Sequence, residues 1–173
     1  VTDLAVVLLN AQSGVEVGTD IAWDMLEEFK TPRMFFVNRV DKEHADFDSA
    51  VSQAQEAFGN SVCVIQFPVS QGETFNSVID VLHMKKLTFE SGSGKMKVED
   101  IPADQQSKAD EYRNILVEKI AESDDEILEK YFEDGELSED DLIKGLRAGL
   151  VGRTIYPVLA GSAANNLGTH ALM

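Results

Sequence analysis

Two polar residues, Asn38 and Asp41, stand three positions apart in Phe36-Val37-Asn38-Arg39-Val40-Asp41, directly after the apolar run Met34-Phe35-Phe36-Val37. The run reads as a buried strand. The pair then falls just past its C-terminal end, where open α/β sheets bind ligands. A carboxylate there accepts two hydrogen bonds. The N1 and N2 donors of guanine supply such a pair and adenine does not, so the wrong base would leave a buried charge unpaired. Asn38 offers a donor and an acceptor, which suits a purine N7 and also suits tying two loops together. The aliphatic stem of Arg39 is long enough to cover a base face. A polar turn after a strand is the plain alternative, and the pair alone does not decide between them.

A second group adds weight. Gly161-Ser162-Ala163 follows another short apolar run, residues 155–160. Small residues there let backbone N–H groups come close to a ligand, and a guanine O6 would accept from such amides. If residues 60–152 are an insertion, the two runs become neighbouring strands and their loops meet at one sheet edge.

Other chemistry-bearing residues carry less. Gly92-Ser93-Gly94-Lys95 resembles the end of a phosphate-binding loop, but Phe89 stands where an earlier Gly is needed and Met96 where Ser or Thr is needed. A hairpin turn is the better reading. The acidic stretch 124–141 fails the spacing of a calcium loop, because Lys130 and Phe132 occupy ligand positions. It reads as a solvated helical face suited to docking a basic protein. Cys63 sits inside an apolar run as a small core residue. His44, His83 and His170 are scattered, with no metal spacing and no nucleophile–base arrangement.

The elements that must position these residues follow from periodicity. Residues 4–9 form a continuous apolar run, as in a parallel strand buried on both faces. Thr19 is placed to cap a helix with Ala22, Leu26 and Phe29 on its apolar face, ended by Thr31-Pro32. Asp46 caps a second helix carrying Phe47, Ala50, Val51, Ala54 and Phe58, closed by Gly59-Asn60. Strand–helix alternation of this length implies a parallel sheet with right-handed crossovers. The grammar then changes. Residues 62–67 read as a strand, and 75–82 and 84–89 as antiparallel strands. Ser91-Gly92-Ser93-Gly94 reads as a turn before a strand over 95–98. Three acidic helices follow. The first carries Ala109, Tyr112, Leu116 and Ile120 on one face, and the others open at Ser123-Asp124-Asp125-Glu126 and Ser138-Glu139-Asp140-Asp141. The fold class is therefore α/β: one parallel sheet with helices, interrupted by an α+β insert.

Composition bounds the partners. The 173 residues are 43% hydrophobic and carry a formal net charge of −16. That is enough apolar material for a core, while nucleic-acid backbones and anionic membranes are poor partners for so acidic a body. One cysteine allows no intrachain disulfide. No apolar run nears the roughly 20 residues of a spanning helix, and no basic leader precedes the first strand. The abrupt start at Val1-Thr2-Asp3 and the end at Ala171-Leu172-Met173 read as a piece of a longer protein.

Over nearly its whole length the chain resembles translational GTPases of the elongation factor G family. Ser13-Gly14-Val15 and Val17-Gly18-Thr19 are similar to the segment after that family's Asp-x-x-Gly switch motif. Phe36-Val37-Asn38-Arg39-Val40-Asp41 matches its Asn-Lys-x-Asp guanine motif, and Ala45-Asp46-Phe47 continues the match. Phe75-Asn76-Ser77-Val78-Ile79-Asp80-Val81-Leu82, Met84-Lys85, Ile101-Pro102-Ala103, Tyr112-Arg113 and Glu129-Lys130-Tyr131 are similar to its insert subdomain. Gly161-Ser162-Ala163 with Asn166 and Gly168 is similar to its last guanine loop. The insert between the two guanine loops is the most diagnostic feature, since small Ras-like GTPases and the tRNA-delivering factors lack it.

The resemblance implies a partial P-loop-GTPase-type sheet. Residues 1–59 and 153–173 would form the C-terminal half of the GTP-binding domain, and 60–152 the insert. It implies GTP or GDP as ligand, Mg²⁺ in the parent protein, hydrolysis on the ribosome that drives translocation or recycling, and a cytoplasmic setting. Asn38 and Asp41 would read the base, Arg39 would stack on it, and Ser162 and Ala163 would meet O6. The acidic insert would meet the ribosomal stalk protein. Two departures stand out. Arg39 replaces the usual Lys, which bears on affinity more than on base choice. The phosphate loop, the Mg²⁺-binding Thr and the switch motif would lie before Val1, so this stretch recognises rather than reacts. A ribosomal protection or release-factor GTPase is an alternative within the superfamily. A non-hydrolysing module that binds a basic partner through the acidic insert is an alternative outside it.

Overall fold

The computed structural model describes residues 2–90, 95–135 and 137–171. In chain order its elements are β1 (Ala5–Asn10), α1 (Val17–Glu28), β2 (Arg33–Asn38), α2 (Phe47–Phe58), β3 (Val62–Val64), β4 (Gln66–Pro68), β5 (Ser77–Asp80), β6 (Lys85–Phe89), β7 (Met96–Glu99), α3 (Ala103–Ala121), α4 (Asp125–Asp134), α5 (Glu139–Gly152) and β8 (Tyr156–Ala160). A parallel sheet runs β1-β2-β8-β3, and an antiparallel sheet runs β4-β5-β6-β7. The register sets Asn10 beside Asn38 and Val37 beside Ala160, so three parallel strands end together at one edge. One apolar core joins the two sheets, from Phe35 and Val158 to Ile79, Leu116 and Leu142. Among the described residues no helix is long and apolar enough to cross a membrane.

The expected strand over 62–67 is two strands in different sheets. Ile65 marks the change: its N–H donates to Val158 O at 3.0 Å in the parallel sheet, and its carbonyl accepts from Val81 N at 3.0 Å in the antiparallel one. The parallel sheet thus keeps residues 62–64 and gives way at Ile65, later than the expected boundary at residue 60. The turn expected over 91–94 lies outside the described residues, as does most of the phosphate-loop look-alike.

Strand β1 departs from the expected double burial. Val7 and Leu9 are buried, but Leu8 on the other face is 60% exposed. Side chains alternate between the two faces, and the face of this edge strand that carries Val6 and Leu8 is uncovered. Helix α1 continues this open face. Its expected apolar residue Phe29 is 75% exposed, and Val17, Ile21 and Met25 are exposed beside it. A groove of about 1100 Å³ runs between the two elements, lined by residues 5–8, 15–19, Ala22, Met25 and Leu26.

Side-chain oxygens cap α2, α4 and α5. Helix α1 starts two residues before the expected cap, with Glu16 at the cap position; Thr19 Oγ1 instead accepts from Glu16 N at 3.2 Å. Asp46 caps α2 through Ser49 N at 2.9 Å. For α4 the cap is Asp124, accepting from Glu126 N and Ile127 N, rather than Ser123. The Ser123 hydroxyl donates to Ile120 O at 2.6 Å and so belongs to the preceding turn. Ser138 caps α5 through Asp141 N at 3.2 Å.

The parallel sheet encloses a charge. Arg33, first residue of β2, is 0% exposed. Its Nη2 lies 2.6 Å from Glu27 Oε1, and its guanidinium lies 4.2 Å from the Trp23 ring centre and 5.3 Å from that of Tyr156. Trp23 in turn stacks on Phe58 at 4.2 Å. A planar cation can be both paired and stacked, which a lysine cannot reproduce. Arg33 thereby links α1, β2, α2 and β8. Arg33→Ala removes this link and leaves a void, so the unfolding free energy should fall by about 3 kcal/mol. Urea unfolding measures it, and an unchanged midpoint would show that the aromatic box holds without the cation.

Candidate functional site

The loops after β2 and β8 leave the sheet side by side and are stitched by one carboxamide. Asn38 Oδ1 accepts from Arg39 N at 2.8 Å and from Ala163 N at 3.0 Å. That oxygen is committed to the backbone, so the Nδ2 amino group is the part of Asn38 left for a ligand acceptor. Arg39 takes a left-handed conformation, φ 66°, which turns the chain and leaves its side chain exposed. Val40 is buried beneath, its N–H donating to Gly161 O at 3.3 Å and its carbonyl accepting from Gly72 N at 2.8 Å. Gln71 Oε1 accepts from Phe47 N at 2.7 Å, and Gln12 Nε2 donates to Glu43 O at 2.6 Å. Three separate segments therefore hold the loop that carries Asp41.

The Asp41 side chain is only 8% exposed. Its Oδ2 accepts from Lys42 Nζ and from Asn165 Nδ2, each at 2.9 Å. Its Oδ1 is buried with no partner in hydrogen-bond geometry, and so is Ser162 Oγ; the hydroxyl is nonetheless near enough to act on the carboxylate. Desolvation pushes the Asp41 carboxyl up, but the nearby Ser162 hydroxyl and the Lys42 ammonium outweigh it, and the group stays below its ordinary value. An ionised carboxylate with an unpaired buried oxygen is a receptor for a donor. Burying it otherwise costs free energy without compensation.

The structure brings together all five residues singled out in the sequence: Asn38, Arg39, Asp41, Ser162 and Ala163. It corrects one detail. The amides expected to face a base oxygen are already bonded, Ser162 N to Leu167 O at 2.8 Å and Ala163 N to Asn38 Oδ1. Gly161 is small for a packing reason: a Cβ there would lie 2.5 Å from Leu167 O and 2.6 Å from Phe36 Cζ. Sequence reasoning missed Asn165, Gln71 and Gly72. Only Asn165 had a visible signal, being a second amide side chain in the Gly161 loop.

The remaining candidates stay apart from this site. Cys63 is buried, which pushes its thiol up to about 11. His83 contacts Asp80 at 2.9 Å and Glu139 at 3.3 Å, while His44 lies 3.5 Å from Glu43. Among the described residues no group of three or more His, Cys, Asp or Glu side chains could hold a metal ion.

The Asp41 arrangement sets a sign for pH. A carboxyl whose folded pKa lies below its unfolded value stabilises the loop above the unfolded value of about 3.9, and that contribution is lost as pH falls through the folded value. A carbon-detected titration should put the Asp41 midpoint below 3.8, with the Arg39 and Ala163 amides moving in the same acid range. A midpoint at or above the ordinary value would mean that Lys42 and Ser162 do not outweigh burial.

Comparison with known proteins shows the fold and the family. A crystal structure of a protein from Thermus thermophilus superposes with a TM-score of 0.88 at 29% identity, covering 98% of this chain and 25% of that one. The chain thus spans about a quarter of the length of that protein. The family profile described as the elongation factor Tu GTP binding domain matches residues 1–173. The chain belongs to the elongation factor Tu GTP binding domain family.

Proposed function

We propose that this chain is the guanine-recognising half of a translational GTPase of the elongation factor G type. One observation carries the reading: a buried Asp41 carboxylate with an unpartnered oxygen at the strand-end edge, beside an Asn38 whose amino group is uncommitted. In this reading Asp41 accepts from guanine N1 and N2, Asn38 Nδ2 donates to N7, and the Arg39 stem covers the ring. Ser162 and Ala163 close the far side. Adenine would strand the carboxylate.

The elongation factor G type is favoured by what lies between the two loops. A four-stranded antiparallel sheet and helices α3 to α5 separate β3 from β8. The ribosome is then the partner, translocation the step, and the cytoplasm the place. The net charge of −16 and the acid-rich starts of α4 and α5 suit docking of a basic ribosomal stalk protein on the insert. The open edge of β1 and its groove suit the phosphate-binding part of such a domain. Mg²⁺, when bound with the nucleotide, neutralises phosphate charge. The described residues include no cluster to hold it.

Two outcomes test the reading. Backbone amide shifts should follow GDP but not ADP, up to millimolar ligand, at residues 38–41 and 161–163. Equal shifts with both nucleotides, or none, would overturn base recognition by this chain and favour the protein-binding module. The 173-residue chain by itself should release no phosphate from GTP, because its sequence contains no phosphate-binding loop; measurable turnover would contradict that.

A further inference from the structure

We propose that Asn165 is a specificity-determining residue of this site, a side chain that occupies the second acceptor of Asp41 and makes the base compete for it. The proposal rests on the guanine reading above. The Oδ2 atom of Asp41 has two lone pairs, and two donors already use them, Lys42 Nζ and Asn165 Nδ2, each at 2.9 Å. Oδ1 has none. Facing a carboxylate, the Asn165 amide must present its NH₂ end, since the opposite orientation would set oxygen against oxygen. A base with two adjacent donors needs both carboxylate oxygens at once. Only one of them is open.

Both occupants of Oδ2 reach solvent, the Lys42 side chain at 45% exposure and Asn165 as an exposed residue, so each exchanges its bond for one to water when it turns away. The Asn165 backbone is fixed. It ends a short helical turn, Ala163–Asn165, whose first amide is bonded to Asn38 Oδ1. Paired bonds between Ser162 and Leu167 close the loop around that turn. Only side-chain rotation frees Oδ2 from Asn165, and rotation gives up a hydrogen bond to a charged acceptor.

The consequence is a muted reading of the exocyclic amine. Guanine N1–H meets the open Oδ1. The N2 amine gains a bond to Oδ2 but displaces the Asn165 amide, so one bond is exchanged for another. Hypoxanthine, which has N1–H and lacks the amine, would keep Asn165 in place and bind nearly as well. A residue that merely braced the loop would affect both bases alike.

The test is an amide-shift titration of the chain and of Asn165→Ala with GDP, IDP and ADP. The native chain should bind GDP and IDP within about threefold of each other, because the exchange is between similar bonds. In Asn165→Ala the GDP preference over IDP should widen about tenfold, the value of one freed bond to a charged group. Without nucleotide, Asn165→Ala should also raise the Asp41 titration midpoint, by loss of a donor. A GDP/IDP ratio that does not change, with GDP still preferred over ADP, overturns the role of Asn165 alone. An Asp41 midpoint that stays put overturns the contact. Loss of the GDP-over-ADP preference in the native chain overturns the guanine reading, and this role falls with it.

Discussion

The parallel pairing of β2 with β8 is the constraint on which the rest depends. It joins residues far apart in the chain: Asn38 and Ala163, bonded at 3.0 Å, are 125 positions apart. Everything between them is a crossover that must return the chain to the same edge. Loop closure over such a length costs little more than over a short one. The insert is therefore tolerated as long as both its ends meet the parallel sheet in register. Strand β3 before it and β8 after it pair directly, Val64 beside Val158, which fixes those ends.

The insert is not a separate appendage. Ile65 bonds to both sheets, and Gly72 and Gln71 reach back from the antiparallel side to Val40 and Phe47. Gly72 does this in a positive-φ conformation, 75°, that other residues rarely take. Helix α3 adds a second tie, with Lys108 Nζ at 2.8 Å from both carboxylate oxygens of Asp48 in α2. Tyr112 donates to the same carboxylate at 3.4 Å. The antiparallel sheet and α3 are thus bonded to α2 and to the loop that carries Asp41.

Much of this was legible in the sequence because it rests on local rules. Apolar runs gave the strands, Asp46 and Gly59 gave the ends of α2, and residue type at strand ends gave Asn38, Asp41 and Ser162. The misses share a physical cause. The exposed side of β1, the break at Ile65 and the burial of Arg33 depend on which element lies next door, and a one-dimensional pattern does not state neighbours. Arg33 stands outside the apolar run Met34-Phe35-Phe36-Val37, yet it is fully buried. Asn165 was visible as an amide in the Gly161 loop, but its partner Asp41, 124 positions away, was not.

The unpaired atoms separate a site from mere packing. Among the described residues four buried side-chain polar atoms lack partners: Arg33 Nε, Asp41 Oδ1, Gln66 Oε1 and Ser162 Oγ. Each costs on the order of 1–3 kcal/mol where it stays dry. Arg33 Nε belongs to a group whose other nitrogens are paired and whose face is stacked, so most of that cost is offset within the sheet. Gln66 stands alone in β4. Asp41 and Ser162 lie side by side, on loops rather than strands, at the edge where parallel strands end, and the hydroxyl acts on the carboxylate without closing a bond of ordinary geometry. A ligand that donates to Asp41 Oδ1 at this edge binds the folded chain alone and adds its binding free energy to stability.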